Sequence, residues 1–157
     1  GNIRKKIETA ITKGKISNQQ AEQIIGNIEP VNDFRLLQVD LAIEAVIEKI
    51  EIKQKFFLEL EKLNGKDCIL ASNTSSLSVT QLASVLKHQE RVAGLHFFNP
   101  APAMKLVEII AGAATSSETI ETLKQFTSTL SKASVLVKDA PGFIVNRVAR
   151  PFYVEAL

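Results

Sequence analysis

His96, one of only two histidines in the chain, closes an apolar run, and Glu108 interrupts a second apolar run twelve residues later. Burying a carboxylate without a partner is costly, so Glu108 requires one. The Asn-Pro-Ala-Pro connection at 99–102 predicts that the second run folds back beside the first and brings the two side chains together. A buried His–Glu pair is an acid–base arrangement, in which the carboxylate orients the imidazole and supports its protonated form. The alternative is a histidine that is only hydrogen-bonded within the core.

Further polar side chains follow predicted strands, where ligands bind in open α/β sheets. These are Glu44, Glu48 and Lys53 after one strand, residues 73–76 after the next, Asn99 beside His96, and Asn146 after a Pro-Gly break. Taken singly, Glu44, Glu48 and Lys53 are explained by a solvated first helical turn. Ser75 is equally explained as the cap of the next helix. The presence of His96 and Glu108 favours a functional role for these polar side chains.

Several function classes lack their signatures. The chain has no Gly-x-Ser-x-Gly elbow of the hydrolase type and no Cys/His spacing typical of a metal site, so we expect no metal. A net charge of +2, with no basic cluster containing aromatic residues, predicts no nucleic-acid or membrane-surface partner. The apolar segments are short, which predicts no membrane span or signal peptide. The single cysteine, Cys68, fits a reducing compartment and favours a cytoplasmic location.

The order of elements predicts an α/β fold. Residues 2–27 have the pattern of a helical hairpin, whose second helix begins with Ser17 as N-cap and Gln20 three residues later. From about residue 36, apolar strands alternate with amphipathic helices, which predicts a doubly wound parallel sheet covered on both faces. The predicted strands are 39–45, 67–71, 91–98, 104–110 and 133–137, and the predicted helices are 49–63, 79–86, 117–130 and 143 onward.

Four motifs in this order resemble the 3-hydroxyacyl-CoA dehydrogenase family, over nearly the whole chain. They are Ser72–Ser76, Gly94–Pro100, Met104–Glu108 and Pro141–Arg147. The resemblance implies an incomplete Rossmann-like sheet and NAD-dependent oxidation of an L-3-hydroxyacyl-CoA to the 3-ketoacyl-CoA. The segment from Asn146 onward is most similar to members acting on 3-hydroxyadipyl-CoA, with 3-hydroxybutyryl-CoA enzymes as close relatives.

The resemblance also implies roles for residues of the site. His96 takes the proton of the substrate hydroxyl, and Glu108 holds and electrostatically supports the imidazolium. Ser75 contacts both the substrate hydroxyl and the cofactor. Asn99 lies at the nicotinamide region, and Asn146 lies at the substrate carbonyl.

Two further groups match positions of the family that contact ligands. Glu48 and Lys53 match positions that contact the cofactor. The basic helical hairpin matches the part that lies against CoA, where Lys5, Lys6 and Lys13 are candidates for phosphate contacts.

One departure from the family bears on activity: the seven glycines form no Gly-x-Gly-x-x-Gly segment, whose backbone N–H groups hold the dinucleotide pyrophosphate. We therefore interpret residues 1–157 as a partial NAD-binding and catalytic domain without the C-terminal helical domain of the family. The isolated chain is expected to bind NAD weakly and to have little activity, and the full-length form is expected to be a homodimer.

Two alternatives differ in function class. A non-catalytic homologue would bind acyl-CoA or a partner protein without the dinucleotide loop, although the presence of a proton-transfer pair argues against it. A related oxidoreductase would act on a free 3-hydroxy acid rather than a CoA ester.

Overall fold

The computed structural model describes residues 2–154, in two compact units of which one ends at Leu36 and the other begins at Leu37. In the first unit, helices α1 (Asn2–Thr12) and α2 (Asn18–Gly26) contact each other, and Ile7 of α1 is buried.

The turn between α1 and α2 follows from local sequence. Gly14 has a φ of 65°, a conformation that glycine adopts without a Cβ penalty. Ser17 Oγ accepts the backbone N–H of Gln20 at 3.2 Å, and Gln20 Oε1 accepts the backbone N–H of Ser17 at 2.8 Å. The predicted capping box is therefore confirmed.

The second unit contains a five-stranded sheet with the strand order β1-β2-β3-β4-β5. Its strands are β1 (Leu41–Glu44), β2 (Ile69–Ser72), β3 (Val92–Phe97), β4 (Leu106–Ala111) and β5 (Ala133–Lys138). Its helices are α3 (Ile50–Leu63), α4 (Val79–Ala83), α5 (Ser117–Thr129) and α6 (Val145–Val154). Short 3₁₀ turns precede β1, at Phe34–Leu36 at the end of the first unit, and β3, at Gln89–Arg91.

The sheet is parallel except at one position, where the strand pair is antiparallel. Strand β1 is parallel to β2, β2 to β3, and β4 to β5, but β3 and β4 are antiparallel. Eight residues join β3 to β4. A parallel crossover needs roughly a dozen residues or more, whereas a short connection suffices for an antiparallel pair. The connection thus folds β4 back beside β3, as the proline-containing segment predicts.

Helices lie against both faces of the sheet. Leu123 of α5 packs in a core cluster with alternate residues of β2, β3 and β4. That cluster comprises Ile69, Ala71, Ala93, Leu95, Val107, Ile109 and Leu123. On the other face, α4 approaches β3 so closely that a Cβ on Gly94 would lie 3.0 Å from Val79 Cγ2. Both faces are therefore covered, as continuous apolar strands predict.

The last helix begins later than the sequence pattern predicts. Gly142 and Phe143 have φ values of 76° and 49°, so neither has the backbone conformation of a right-handed helix. Helix α6 starts at Val145 instead of Phe143. Within residues 2–154, no helix is both long enough and apolar enough to cross a membrane.

Candidate active site

Strands β3 and β4 bring His96 and Glu108 together. The two residues are register partners in the antiparallel pair, and His96 Nδ1 lies 2.8 Å from Glu108 Oε2. His96 is 5% exposed and Glu108 is fully buried. Side chains opposite each other on such a ladder project from the same face, so the strand register itself sets this contact.

The second oxygen of Glu108 is held by backbone N–H groups. Glu108 Oε1 accepts the N–H of Ile144 at 3.0 Å and the N–H of Val145 at 2.9 Å. Both groups lie at the end of residues 139–145, which we call the amide turn. The left-handed conformations of Gly142 and Phe143 direct this turn toward the start of α6. With Glu108 ionised, its oxygens only accept, so the ring proton of His96 is on Nδ1 and Nε2 is free to accept.

Ser75 lies at the Nε2 side of the imidazole. Ser75 Oγ is 3.2 Å from His96 Nε2, and Ser75 is exposed while His96 is buried. Residues 73–78, which we call the serine loop, follow β2 directly. Asn73 Oδ1 accepts the backbone N–H of Phe97 at 2.8 Å, which fixes the start of the loop to β3. Asn146 Nδ2 donates to the Ser75 carbonyl oxygen at 3.4 Å.

Two phenylalanines enclose the imidazole. The ring centroid of Phe98 lies 4.6 Å from that of His96 in an edge-on arrangement, and that of Phe143 lies 5.8 Å away. Phe143 is itself buried. These apolar rings pack against the imidazole, whose two nitrogens contact Ser75 and Glu108.

Glu48 organises the serine loop from the neighbouring strand end. Its Oε1 accepts from Thr74 Oγ1, from the Ser75 backbone N–H at 3.1 Å and from Ser76 Oγ at 3.2 Å. Burial by itself raises the pKa of Glu48, but the hydrogen bonds from Thr74, Lys53 and Ser75 outweigh it and place this pKa below its ordinary value. The carboxylate is therefore held ionised at neutral pH beside the loop that carries Ser75.

Behind Glu48 lies a buried ion pair. Lys53 Nζ is 2.6 Å from Glu44 Oε1 and 3.1 Å from Glu48 Oε2, and it also donates to the Val46 carbonyl oxygen at 3.2 Å. Glu44 Oε2 accepts from Ser72 Oγ at 2.8 Å. The explanation as a solvated helical turn is therefore wrong for Glu44 and Lys53, which are 6% and 1% exposed, whereas Glu48 is exposed.

The cap of α4 is Ser78 and not Ser75. Ser78 Oγ accepts the backbone N–H of Gln81 at 3.2 Å. The hydroxyl of Ser75 is directed to His96 instead. Ser75 lies three residues before this N-cap, so it does not cap the helix and its hydroxyl is available for another role. The sequence pattern of the helix alone does not distinguish the two roles.

Four further predicted site residues are exposed. Asn99 is exposed after β3, in a cis Asn99–Pro100 peptide. Lys5, Lys6 and Lys13 are exposed residues of the first unit. Among the described residues, no group of three or more His, Cys, Asp and Glu side chains is arranged to hold a metal ion.

The arrangement suits proton transfer at one atom. His96 Nε2 can accept a proton from a hydroxyl placed beside Ser75, and Glu108 then stabilises the charged imidazolium through Nδ1–H. The serine and the histidine lie at the carboxyl ends of β2 and β3, where open α/β sheets bind their ligands. The fold and the site therefore define the class of α/β proteins that remove a proton from a ligand bound at this edge of the sheet.

Comparison of the sequence with known protein families identifies the family within this class. The family described as 3-hydroxyacyl-CoA dehydrogenase, NAD binding domain, matches residues 1–140. The chain therefore belongs to this family, and the resemblance and the NAD-binding class that the four motifs predict are confirmed.

Individual relatives agree with this assignment. The chain is 44% identical over 155 residues to 3-hydroxyadipyl-CoA dehydrogenase of Escherichia coli, covering 98% of the chain and 33% of that protein. It is 48% identical over 145 residues to the human mitochondrial hydroxyacyl-coenzyme A dehydrogenase, covering 91% of the chain and 46% of that protein. The chain thus spans between a third and a half of the length of these two relatives.

A solved structure shows the same fold. The crystal structure of 3-hydroxybutyryl-CoA dehydrogenase from Escherichia coli K12 has a TM-score of 0.96 to the chain at 44% identity, covering 99% of the chain and 33% of that structure. This similarity confirms the predicted Rossmann-like α/β class.

Proposed function

We propose that the protein to which this chain belongs is an NAD-dependent L-3-hydroxyacyl-CoA dehydrogenase, with Ser75, His96 and Glu108 as its proton-transfer chain. The observation that carries the proposal is the continuous contact from Ser75 Oγ through the imidazole to the buried Glu108, at 3.2 and 2.8 Å. A structural histidine in a core needs no exposed hydroxyl on one nitrogen and a fully buried carboxylate on the other.

In the proposed reaction, the hydroxyl of the substrate lies beside Ser75 and gives its proton to His96 Nε2. Glu108 keeps the Nδ1 proton on the ring side of their hydrogen bond and stabilises the imidazolium that forms. The N–H groups of Ile144 and Val145 keep Glu108 in place during this charge change. Asn146, whose amide reaches Ser75, is proposed to orient the thioester carbonyl of the substrate.

The exposed polar side chains at the strand ends fit the nicotinamide end of NAD. Ser75, Glu48 and Asn99 are all exposed and offer a hydroxyl, a carboxylate and an amide for ribose hydroxyls and a carboxamide. When bound, NAD supplies the hydride acceptor. Lys53 is predicted to contact the cofactor as well, but its 1% exposure supports an indirect role, in which it holds Glu48 toward the ligand.

The CoA portion of the substrate carries phosphates, which favour basic partners. Lys5, Lys6 and Lys13 are exposed, and Lys13 immediately follows α1. We propose these lysines as phosphate contacts of an acyl-CoA substrate. We also propose a homodimer for the full-length protein and a cytoplasmic location, for which the single buried Cys68 gives supporting chemistry.

Activity of the chain tests the proposal directly. NADH consumption is measured with acetoacetyl-CoA and with free acetoacetate, at high NADH because the chain lacks a Gly-x-Gly-x-x-Gly segment. We expect slow turnover of the CoA ester only. His96→Gln should abolish it, whereas His88→Gln, at the only other histidine, should leave it unchanged.

Three outcomes would overturn the proposal. Equal turnover by His96→Gln would remove the histidine from the chemistry. Binding of acetoacetyl-CoA and NADH without turnover would favour the non-catalytic acyl-CoA binder. Turnover of free acetoacetate at the same rate as the CoA ester would favour an oxidoreductase acting on a free hydroxy acid.

A further inference from the structure

The carboxylate of Asp139 joins two segments that carry the site. Asp139 follows β5 directly and opens the amide turn. Its Oδ2 accepts from Ser78 Oγ at 2.7 Å and from the backbone N–H of Thr80 at 2.8 Å. Its Oδ1 accepts the backbone N–H of Val79 at 3.0 Å. The partners lie about 60 residues away in sequence, at the end of the serine loop and the start of α4.

We propose that Asp139 is a positioning residue of the site, which fixes the amide turn to the serine loop and thereby holds the Ile144 and Val145 N–H groups on Glu108. This inference rests on the proposed function of the site. Asp139 does not touch the reacting atoms; it acts through the backbone on either side of its hydrogen bonds.

Each of the two segments leads from the hydrogen bonds of Asp139 to a residue of the site. On one side, Ser78 lies three residues after Ser75 on the serine loop. On the other, Asp139 lies five residues before Ile144, with the left-handed Gly142 and Phe143 between them. A second link to the serine loop, from Asn146 Nδ2 in α6 just after the amide turn to the Ser75 carbonyl oxygen, is longer at 3.4 Å. The three bonds to Asp139 are therefore the shorter constraint on their separation.

Charge strengthens these bonds. Burial by itself raises the pKa of Asp139, but the hydrogen bonds from Thr80, Ser78 and Val79 outweigh it, and this pKa lies below its ordinary value. A carboxylate that accepts hydrogen bonds as an ion holds its donors more strongly than a neutral amide does. Asp139→Asn keeps the size of the side chain and removes this advantage.

Amide hydrogen exchange in the chain itself tests the proposal without any turnover. The quantity measured is the protection of the Ile144 and Val145 amides, divided by that of the slowest-exchanging amides of β3 and β4, which report global unfolding. For Asp139→Asn we expect this ratio to fall about tenfold. The ring ¹⁵N signals of His96 should shift at the same time, while those of His88 stay in place.

Glu61→Gln is the matched control. Glu61 of α3 is also a carboxylate that accepts two backbone N–H groups. These are the N–H groups of Lys87 and His88, which follow α4, at 3.1 and 3.0 Å. Its loss should lower global protection but leave the ratio at Ile144 and Val145 and the ring signals of His96 unchanged. If Asp139→Asn fails to fold, Ser78→Ala removes one of the three donors and should lower the same ratio by a smaller factor.

The structural alternative is that Asp139 only stabilises the start of α4. In that case, Asp139→Asn and Ser78→Ala would lower all protection by one common factor and leave the His96 ring signals unmoved. That result would overturn the proposal and leave the proposed function intact, because the function is tested by NADH consumption.

Discussion

Glu108 and His96 face each other across β4 and β3, and both carboxylate oxygens of Glu108 hold this relationship. One carboxylate oxygen lies 2.8 Å from His96 Nδ1, and the other accepts two backbone N–H groups at 2.9 and 3.0 Å. The imidazole is therefore fixed by a carboxylate that is itself fixed by the main chain. This is the arrangement that keeps Nε2 available to accept a proton.

Glu108→Gln should reverse the tautomer of His96. The glutamine Oε1 satisfies the N–H groups of Ile144 and Val145, which leaves its NH₂ group toward His96 Nδ1 and transfers the ring proton to Nε2. Long-range ¹H–¹⁵N spectra of the imidazole measure this change, with His88 as internal reference. Any turnover should fall about 10²–10⁴-fold with it. An unchanged Nδ1–H tautomer in the variant would contradict the assignment.

Lys53→Met should strongly destabilise the fold, because it leaves Glu44 buried without a counter-charge. Both side chains are almost completely buried, at 1% and 3% exposure. We expect a loss of about 3–5 kcal/mol in the free energy of unfolding, measured by urea denaturation. Lys55→Met, at an exposed position of the same helix, is the control and should change stability little. Equal losses in the two variants would argue against a structural ion pair.

Gly94→Ala should destabilise by overpacking. A Cβ at this position would lie 2.8 Å from Ile110 Cβ on β4 and 3.0 Å from Val79 Cγ2 on α4, so the neighbouring side chains would have to shift. The expected cost is about 1–3 kcal/mol. At Gly65, a Cβ meets no atom within 4 Å, and Gly65→Ala is the matched substitution. Thermal unfolding of the two variants under the same conditions separates them; a Gly94 variant as stable as the Gly65 variant would contradict the close packing of Ile110 and Val79 against Gly94.

Acid should destabilise the protein partly through Glu61. Burial by itself raises the pKa of Glu61, but the backbone N–H groups of His88 and Lys87 and the charge of Arg91 outweigh it and lower this pKa from 4.5. A lowered folded-state pKa contributes stability that is fully present above pH 4.5 and is lost as the pH falls through the folded-state pKa. Glu61→Gln should therefore reduce the loss of stability on acidification below pH 4.5, measured as urea midpoints across pH. If the urea midpoints of the wild type and Glu61→Gln fell in parallel as the pH is lowered, Glu61 would not contribute to the acid sensitivity of the fold.

The local signals in the sequence predicted local structure well. The capping box at Ser17 and the return of β4 beside β3 both follow from short-range chemistry: a polar pair three residues apart and a connection too short for a crossover. The contact between His96 and Glu108 followed from the same hairpin, because opposite residues of a ladder share a face.

What the sequence did not predict depends on distant pairing. Glu44 and Lys53 lie nine residues apart, on β1 and α3, and the sequence does not show that they meet Ser72 of β2 in a buried polar cluster. The N–H groups of Ile144 and Val145 carry no side-chain signal for binding Glu108. Asp139, between a strand and a Pro-Gly pair, has the pattern of an ordinary turn residue.

The role of His96 as the proton acceptor is tested most directly by NADH consumption with acetoacetyl-CoA, compared among the wild-type chain, His96→Gln and His88→Gln at equal protein concentration. We expect slow turnover by the wild type and His88→Gln, and a loss of about 10²–10⁴-fold in His96→Gln. Equal rates for the wild type and His96→Gln, or bound acetoacetyl-CoA and NADH with no consumption in any of the three, would contradict it.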